Sequence, residues 1–121
     1  MAGKLKPIIW VRSSKEEDLK RFPLMAQRHI GFALKMAQLG EKHPDAKPMR
    51  GFGSGSVVEV VEDYDRSAYR AIYTVRFVEA VYVLHCFQKM SRHGIATDQR
   101  DLDLIKERLA RAEELHRQRI V

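Results

Sequence analysis

Two arginines six residues apart, Arg70 and Arg76, lie in the run Tyr69-Arg70-Ala71-Ile72-Tyr73-Thr74-Val75-Arg76-Phe77. A planar guanidinium stays charged and can hold two phosphate oxygens at once. Upstream, Lys47 and Arg50 flank Gly51-Phe52-Gly53-Ser54-Gly55, a glycine-rich turn whose amides could cup an anion. It is not a phosphate-binding P-loop, because no Gly-Lys-Ser/Thr follows the glycines and a strand comes next. Downstream, His85, Lys89, Arg92 and His93 gather at the end of a β-branched and aromatic run. There an imidazole could move a proton near neutral pH, and the cations could offset charge building on a phosphorane. Glu59, in a valine-rich run, is either a base or the ion-pair partner of Arg70 or Arg76. Taken together, these residue types suit a site that handles phosphate.

Each residue also has a plainer reading. Alternation along the middle run puts Tyr69, Ala71, Tyr73, Val75 and Phe77 on a core face, and Arg70, Ile72, Thr74 and Arg76 on the other. That second face has few apolar groups, so it is solvated or it is a site. His85 shares parity with Val83 and Phe87 and fits a satisfied core histidine as well as a catalyst. Tyr69, Tyr73 and Tyr82 recur as packing residues rather than base-stacking platforms. No metal is expected, since Cys86 has no partner thiol and His29, His43, His85, His93 and His116 show none of the zinc spacings. Cys86 itself, inside Val81-Tyr82-Val83-Leu84-His85-Cys86-Phe87, reads as a buried structural thiol.

The elements that must position these groups follow from local pattern. Ile8-Ile9-Trp10-Val11 reads as a strand, followed by a helix from Ser14 to Arg21 with serines three residues before glutamates. Pro23 ends that helix near Phe22 and opens a second, with Leu24, Ile30, Leu34 and Ala37, flanked by Phe32, Met36 and Leu39, as its apolar face and Gly40 as its stop. Residues 41–55 form a connector longer than the usual few residues. Strands are predicted over Val57 to Glu62, Tyr69 to Phe77 and Ala80 to Gln88, joined by turns at Asp63 to Ser67 and near Val78-Glu79 as an antiparallel meander. A last helix from Thr97 or Asp98 to Gln118 carries Leu102, Ile105, Leu109 and Ala112 on one stripe. The predicted order is β-α-α-β-β-β-α, an α+β fold in a single domain over residues 1–121.

At 121 residues and 14.0 kDa the chain has room for one core. Lys and Arg number 22 against 16 Asp and Glu, a net charge of +6, which favours nucleic acid, a ribonucleoprotein or an acidic protein as partner. No apolar stretch approaches the ~20 residues that cross a bilayer, so no membrane association is expected and the predicted location is the cytoplasm.

In this order and spacing, the chain resembles the phage-derived, HigB-like branch of the RelE/ParE toxin superfamily of type II toxin–antitoxin modules. The segments that carry the resemblance are Ile8-Ile9-Trp10-Val11, the helical hairpin ending Leu39-Gly40, Lys47-Pro48-Met49-Arg50-Gly51-Phe52-Gly53-Ser54-Gly55-Ser56-Val57-Val58-Glu59, Tyr69-Arg70-Ala71-Ile72-Tyr73 and Val83-Leu84-His85-Cys86-Phe87-Gln88-Lys89. The resemblance implies a small twisted, mainly antiparallel sheet with helices on one side and a concave basic site on the other. It implies a ribosome-dependent mRNA endonuclease that needs no metal or other cofactor, in which the 2′-hydroxyl attacks the adjacent phosphate. On this sequence it makes Arg50 and Arg70 the phosphate or transition-state contacts, with Lys47, Arg76 and Lys89 in support. Glu59 and His85 become the proton-transfer or site-organising groups, with Arg92 and His93 near the substrate. Where many relatives read Phe-x-Lys-Lys, this chain reads Phe87-Gln88-Lys89-Met90, so no role can rest on two adjacent lysines. The implied partners are a helix-turn-helix antitoxin and mRNA on the ribosome.

Two other functions compete: a ParE-like inhibitor of DNA gyrase, and a non-enzymatic, basic RNA-binding module. Cations and histidines at the ends of adjacent strands favour the nuclease over the gyrase inhibitor.

Overall fold

The apolar periodicity resolves into five strands and three helices in the computed structural model, which describes residues 5–11, 16–53, 55–90 and 98–120. They run β1 (Ile8–Trp10), α1 (Glu16–Lys20), α2 (Leu24–Gln38), β2 (Lys47–Pro48), β3 (Val57–Tyr64), β4 (Ser67–Thr74), β5 (Val81–Met90) and α3 (Gln99–Ile120). The sheet order is β1-β5-β4-β3-β2. The predicted meander is β3-β4-β5, antiparallel throughout, and β1 pairs with β5 in parallel. The α+β fold is as expected, with one added strand. Lys47 and Pro48, predicted as connector, pair with Glu59 and Val58 at the sheet edge, where a proline lacking an N–H is tolerated.

Local signals set most boundaries. Pro23, with ψ 151°, stands immediately before α2. Gly40 closes that helix with φ +82°; its N–H donates to the Ala37 carbonyl and the Glu41 N–H to the Met36 carbonyl, the paired bonds of a Schellman ending. The β3-β4 turn is tighter than predicted, two residues with Asp65 and Arg66 both at positive φ and Tyr64 facing Ser67. That is the left-handed geometry which matches strand twist. β4 ends at Thr74 rather than Phe77: the Thr74 hydroxyl accepts the Tyr82 N–H at 3.1 Å, and a longer link than predicted leads into β5.

The sheet has a core on each face. On one face Ala26, Ile30, Ala33, Leu34 and Ala37 of α2 pack on Val58, Val60, Ala71, Tyr73, Val81 and Val83. The buried stripe differs from the predicted one: Leu24, Phe32 and Leu39 are about half exposed, because small residues at 26, 33 and 37 let α2 sit close to the sheet on that side. Cys86 is buried in this core as predicted, and burial pushes its thiol up to about 12. On the other face Ile105 and Ala112 of α3 pack on Val57, Ile72, Tyr82 and Leu84.

This second core corrects two expectations. Ile72 and Thr74, predicted on a solvated or functional face, are fully buried. The face implied to be an open basic concavity carries α3, because the apolar stripe of that helix needs cover. Phe77, predicted with Tyr73, instead meets Tyr82 and His116 on the α3 side.

Candidate functional site

Directly paired residues in a sheet share a face, so the register itself assembles the polar groups. Lys47 faces Glu59, Glu59 faces Ile72, and Ile72 faces His85, a row across four strands on the α3 side. Beside it Arg70 lies between Val61 and Phe87, and Lys89 lies opposite Ala68. Arg70 Nη1 donates to Glu59 Oε2 at 2.9 Å, with the two side chains only 15% and 21% exposed. A half-buried, charge-assisted bond of this kind fixes the guanidinium more firmly than a surface pair would. The sequence left Arg70 and Arg76 open as partners of Glu59, and this register selects Arg70.

Arg76 is elsewhere. It pairs with Glu113 of α3 at 3.1 Å, half exposed, and its guanidinium lies 5.8 Å from the Phe77 ring centroid. Arg50 is exposed in the turn after β2, between Met49 and Phe52, whose side chains join the α3-side core. Gly51 and Gly53 adopt φ +89° and +74°, left-handed values that account for glycine in this turn. Arg92 and His93 lie outside the described residues.

His85 reaches the α3 side through a bulge. Ile72 pairs with His85 and Tyr73 with Val83, so Leu84 is the extra residue of β5 and His85 no longer shares a face with Val83. The ring stacks on Phe87 at 4.3 Å. Arg108 Nη1 donates both to the Leu84 carbonyl, at 2.8 Å, and to His85 Nδ1, at 3.1 Å. Since a guanidinium can only donate, Nδ1 must carry a lone pair, and the imidazole proton sits on Nε2 facing Asp101 Oδ1 at 3.1 Å. Burial holds the imidazole below the ordinary histidine range; the Asp101 hydrogen bond opposes this and the Arg108 charge adds to it. A histidine with both nitrogens engaged pins β5 to α3.

Lys89 extends the same attachment. Its Nζ donates to Asp98 Oδ2 at 2.6 Å and makes an ion pair with Asp101 Oδ2 at 2.9 Å. The Asp98 side chain also caps α3, accepting the Asp101 N–H at 3.0 Å. These contacts raise the Lys89 ammonium above its usual range and lower the Asp98 carboxyl to about 2, the hydrogen bond between the two being the largest cause of each. At the far end of α3, the Tyr82 hydroxyl lies 3.0 Å from His116 Nδ1, and His116 Nε2 lies 2.9 Å from Glu79 Oε1.

Sequence reasoning passed over Asp98, Asp101, Arg108 and His116. The signal was present: Asp101, Ile105, Arg108, Ala112 and His116 recur at helical spacing, polar residues on the stripe that also carries the apolar ones. All of them except Asp98 are buried. The structure thus brings Lys47, Glu59, Arg70, His85 and Lys89 onto one sheet face, places Arg76 with Glu113, and leaves Arg50 in the adjoining turn. Among the described residues the donor group with metal-ligand proximity is His29, His43 and Asp45, none of them in this row.

No helix among the described residues is long and apolar enough to cross a membrane. No curated protein and no solved structure matches the chain. A family model described as phage derived protein Gp49-like (DUF891) matches residues 17–110, a span from α1 to the middle of α3 that includes Lys47, Glu59, Arg70, His85 and Lys89. The chain belongs to the Gp49-like family of phage-derived proteins.

Proposed function

We propose that this chain is the toxin of a type II toxin–antitoxin module and an mRNA endonuclease acting on the ribosome. The Gp49-like family groups with RelE/HigB-like toxins, and the observation that carries the reading is the Arg70–Glu59 pair, a fixed cation and a carboxylate 2.9 Å apart on a basic chain. In the proposed reaction Glu59 takes the proton from the RNA 2′-hydroxyl, the 2′-oxygen bonds to phosphorus, and the P–O5′ bond breaks with solvent protonating the leaving oxygen. Arg70 neutralises the phosphorane, while Lys47 and Arg50 hold flanking phosphates and make binding steeply salt-dependent. His85 and Lys89 act as positioning residues, through Asp101, by holding α3 against β5. A helix-turn-helix antitoxin is the proposed partner, and the cytoplasm the proposed location.

The test is a reconstituted translation reaction in which mRNA cleavage is read by primer extension. Arg70→Ala should slow cleavage by about 100-fold or more, the usual effect of removing a transition-state cation, while keeping the wild-type circular dichroism spectrum. Intact mRNA with the wild-type chain, together with stabilised cleaved DNA in a gyrase assay, would overturn the reading in favour of a gyrase poison.

A further inference from the structure

On the opposite face of the sheet, three segments far apart in sequence bring two imidazoles and two carboxylates together. His29 comes from α2, His43 and Asp45 from the connector into β2, and Glu62 from β3, where it pairs with Tyr69 on the α2 side. His29 Nε2 lies 2.8 Å from Asp45 Oδ2, and His29 Nδ1 lies 3.0 Å from Glu62 Oε1. His43 Nδ1 lies 3.9 Å from the same Asp45 oxygen, and the two rings are 5.4 Å apart. The ligand atoms that His29, His43 and Asp45 can offer all lie within 4.8 Å of one another. The edge of Phe32 against His43, at 5.6 Å, fixes the second ring.

We propose that His29, His43 and Asp45 form a divalent transition-metal site of the zinc type, with Glu62 behind His29 as its orienting carboxylate. His29 meets a carboxylate oxygen at each ring nitrogen, Asp45 Oδ2 at Nε2 and Glu62 Oε1 at Nδ1. A cation held between Nε2 and Asp45, with Nδ1 turned to Glu62, reproduces the carboxylate–histidine–metal arrangement found around zinc. Two imidazoles with one carboxylate select zinc-like ions over calcium or magnesium, which prefer all-oxygen shells. His43 supplies Nδ1, whose lone pair now accepts the Asp45 N–H at 3.0 Å; the metal takes the place of that hydrogen. Asp45 is 61% exposed, against 18% and 13% for His29 and His43, so the ion enters from solvent and keeps water in its remaining position. Bound there, it braces the connector to α2 just before the chain enters β2.

The ligands are 14 and 2 residues apart, which no zinc motif matches, and this is why the sequence predicted no metal. The site lies across the sheet from Arg70 and Glu59, so its test is independent of RNA cleavage.

The test is titration of the tag-free full chain with Zn2+ by calorimetry, and with Co2+ by visible absorption. Saturation at one ion per chain, with tetrahedral Co2+ bands and a melting temperature raised by Zn2+, is expected. Asp45→Asn and His43→Gln should each weaken affinity at least tenfold while keeping the metal-free melting temperature close to wild type, and Glu62→Gln should weaken it about tenfold. Absence of saturable micromolar binding by the wild-type chain overturns the proposal. So does binding that survives in a His29→Gln/His43→Gln double variant.

Discussion

Glu59 and Glu62 leave the same strand three residues apart and enter opposite environments. Glu59 faces α3, where Arg70 neutralises it and neighbouring cations and acids close on one another: Arg108 on His85, His85 on Asp101, Asp101 on Lys89. Glu62 faces α2 and a histidine that already has a second carboxylate on its other nitrogen. The difference teaches how each helix is held. α2 is attached mainly by apolar burial along Ala26, Ile30, Ala33, Leu34 and Ala37, with polar contacts such as His29 to Glu62 at its rim. α3 interleaves apolar contacts with buried polar pins, so its docking depends on protonation and charge as well as on area.

The sharpest way to break that contrast is to remove one pin. Arg108 is 5% exposed, and Arg108→Ala leaves the Leu84 carbonyl and His85 Nδ1 without the donor that serves both. The expected cost is about 3 kcal/mol in urea unfolding, comparable with about 3 kcal/mol for Ile30→Ala under α2. A cost below about 1 kcal/mol for Arg108→Ala would mean that α3 is held by its apolar stripe, as α2 is.

A smaller effect should appear on acidification. Burial depresses the folded-state affinity of His85 for a proton, so the unfolded chain protonates first as pH falls below the ordinary 6.5. Stability from this group is therefore complete above that pH and lost as pH drops toward the lower folded value. The urea midpoint of the wild type should decline through this window, and His85→Gln should flatten the decline. An equal decline in the variant would show that His85 is not its source.

The smallest effect belongs to the turn that both faces share. Arg66 holds φ +66° in the two-residue β3-β4 loop, a position that favours glycine. Arg66→Gly should stabilise by about 0.5 kcal/mol. Because β3 and β4 serve both cores, the gain should be equal in the Arg108→Ala and Ile30→Ala backgrounds; unequal gains would show that the two faces are coupled through the hairpin.

Four of the five strands, the helical hairpin and the antiparallel meander were legible because period-two and helical patterns, Pro23 and Gly40 act locally. The row containing Glu59 and Arg70 was also legible in part, since alternation alone assigns residues to a face. His85 was misplaced relative to Val83 because one bulged residue reverses the parity beyond it, and pairing with β4 decides where that residue sits. Asp101, Arg108 and His116 were hidden differently. Polar residues on a helix stripe mean nothing until the surface beneath them is known.

What the sequence determined by itself is most of the elements, their order and the alternation that puts Glu59 and Arg70 on neighbouring strands of one sheet. The tertiary structure alone decided that α3 covers the face carrying them, and that His29, His43, Asp45 and Glu62 meet on the other. The physical reason is range. Backbone preference and side-chain alternation act over a few residues, whereas covering an apolar stripe and pairing a buried charge depend on whichever distant segment the packed chain brings alongside.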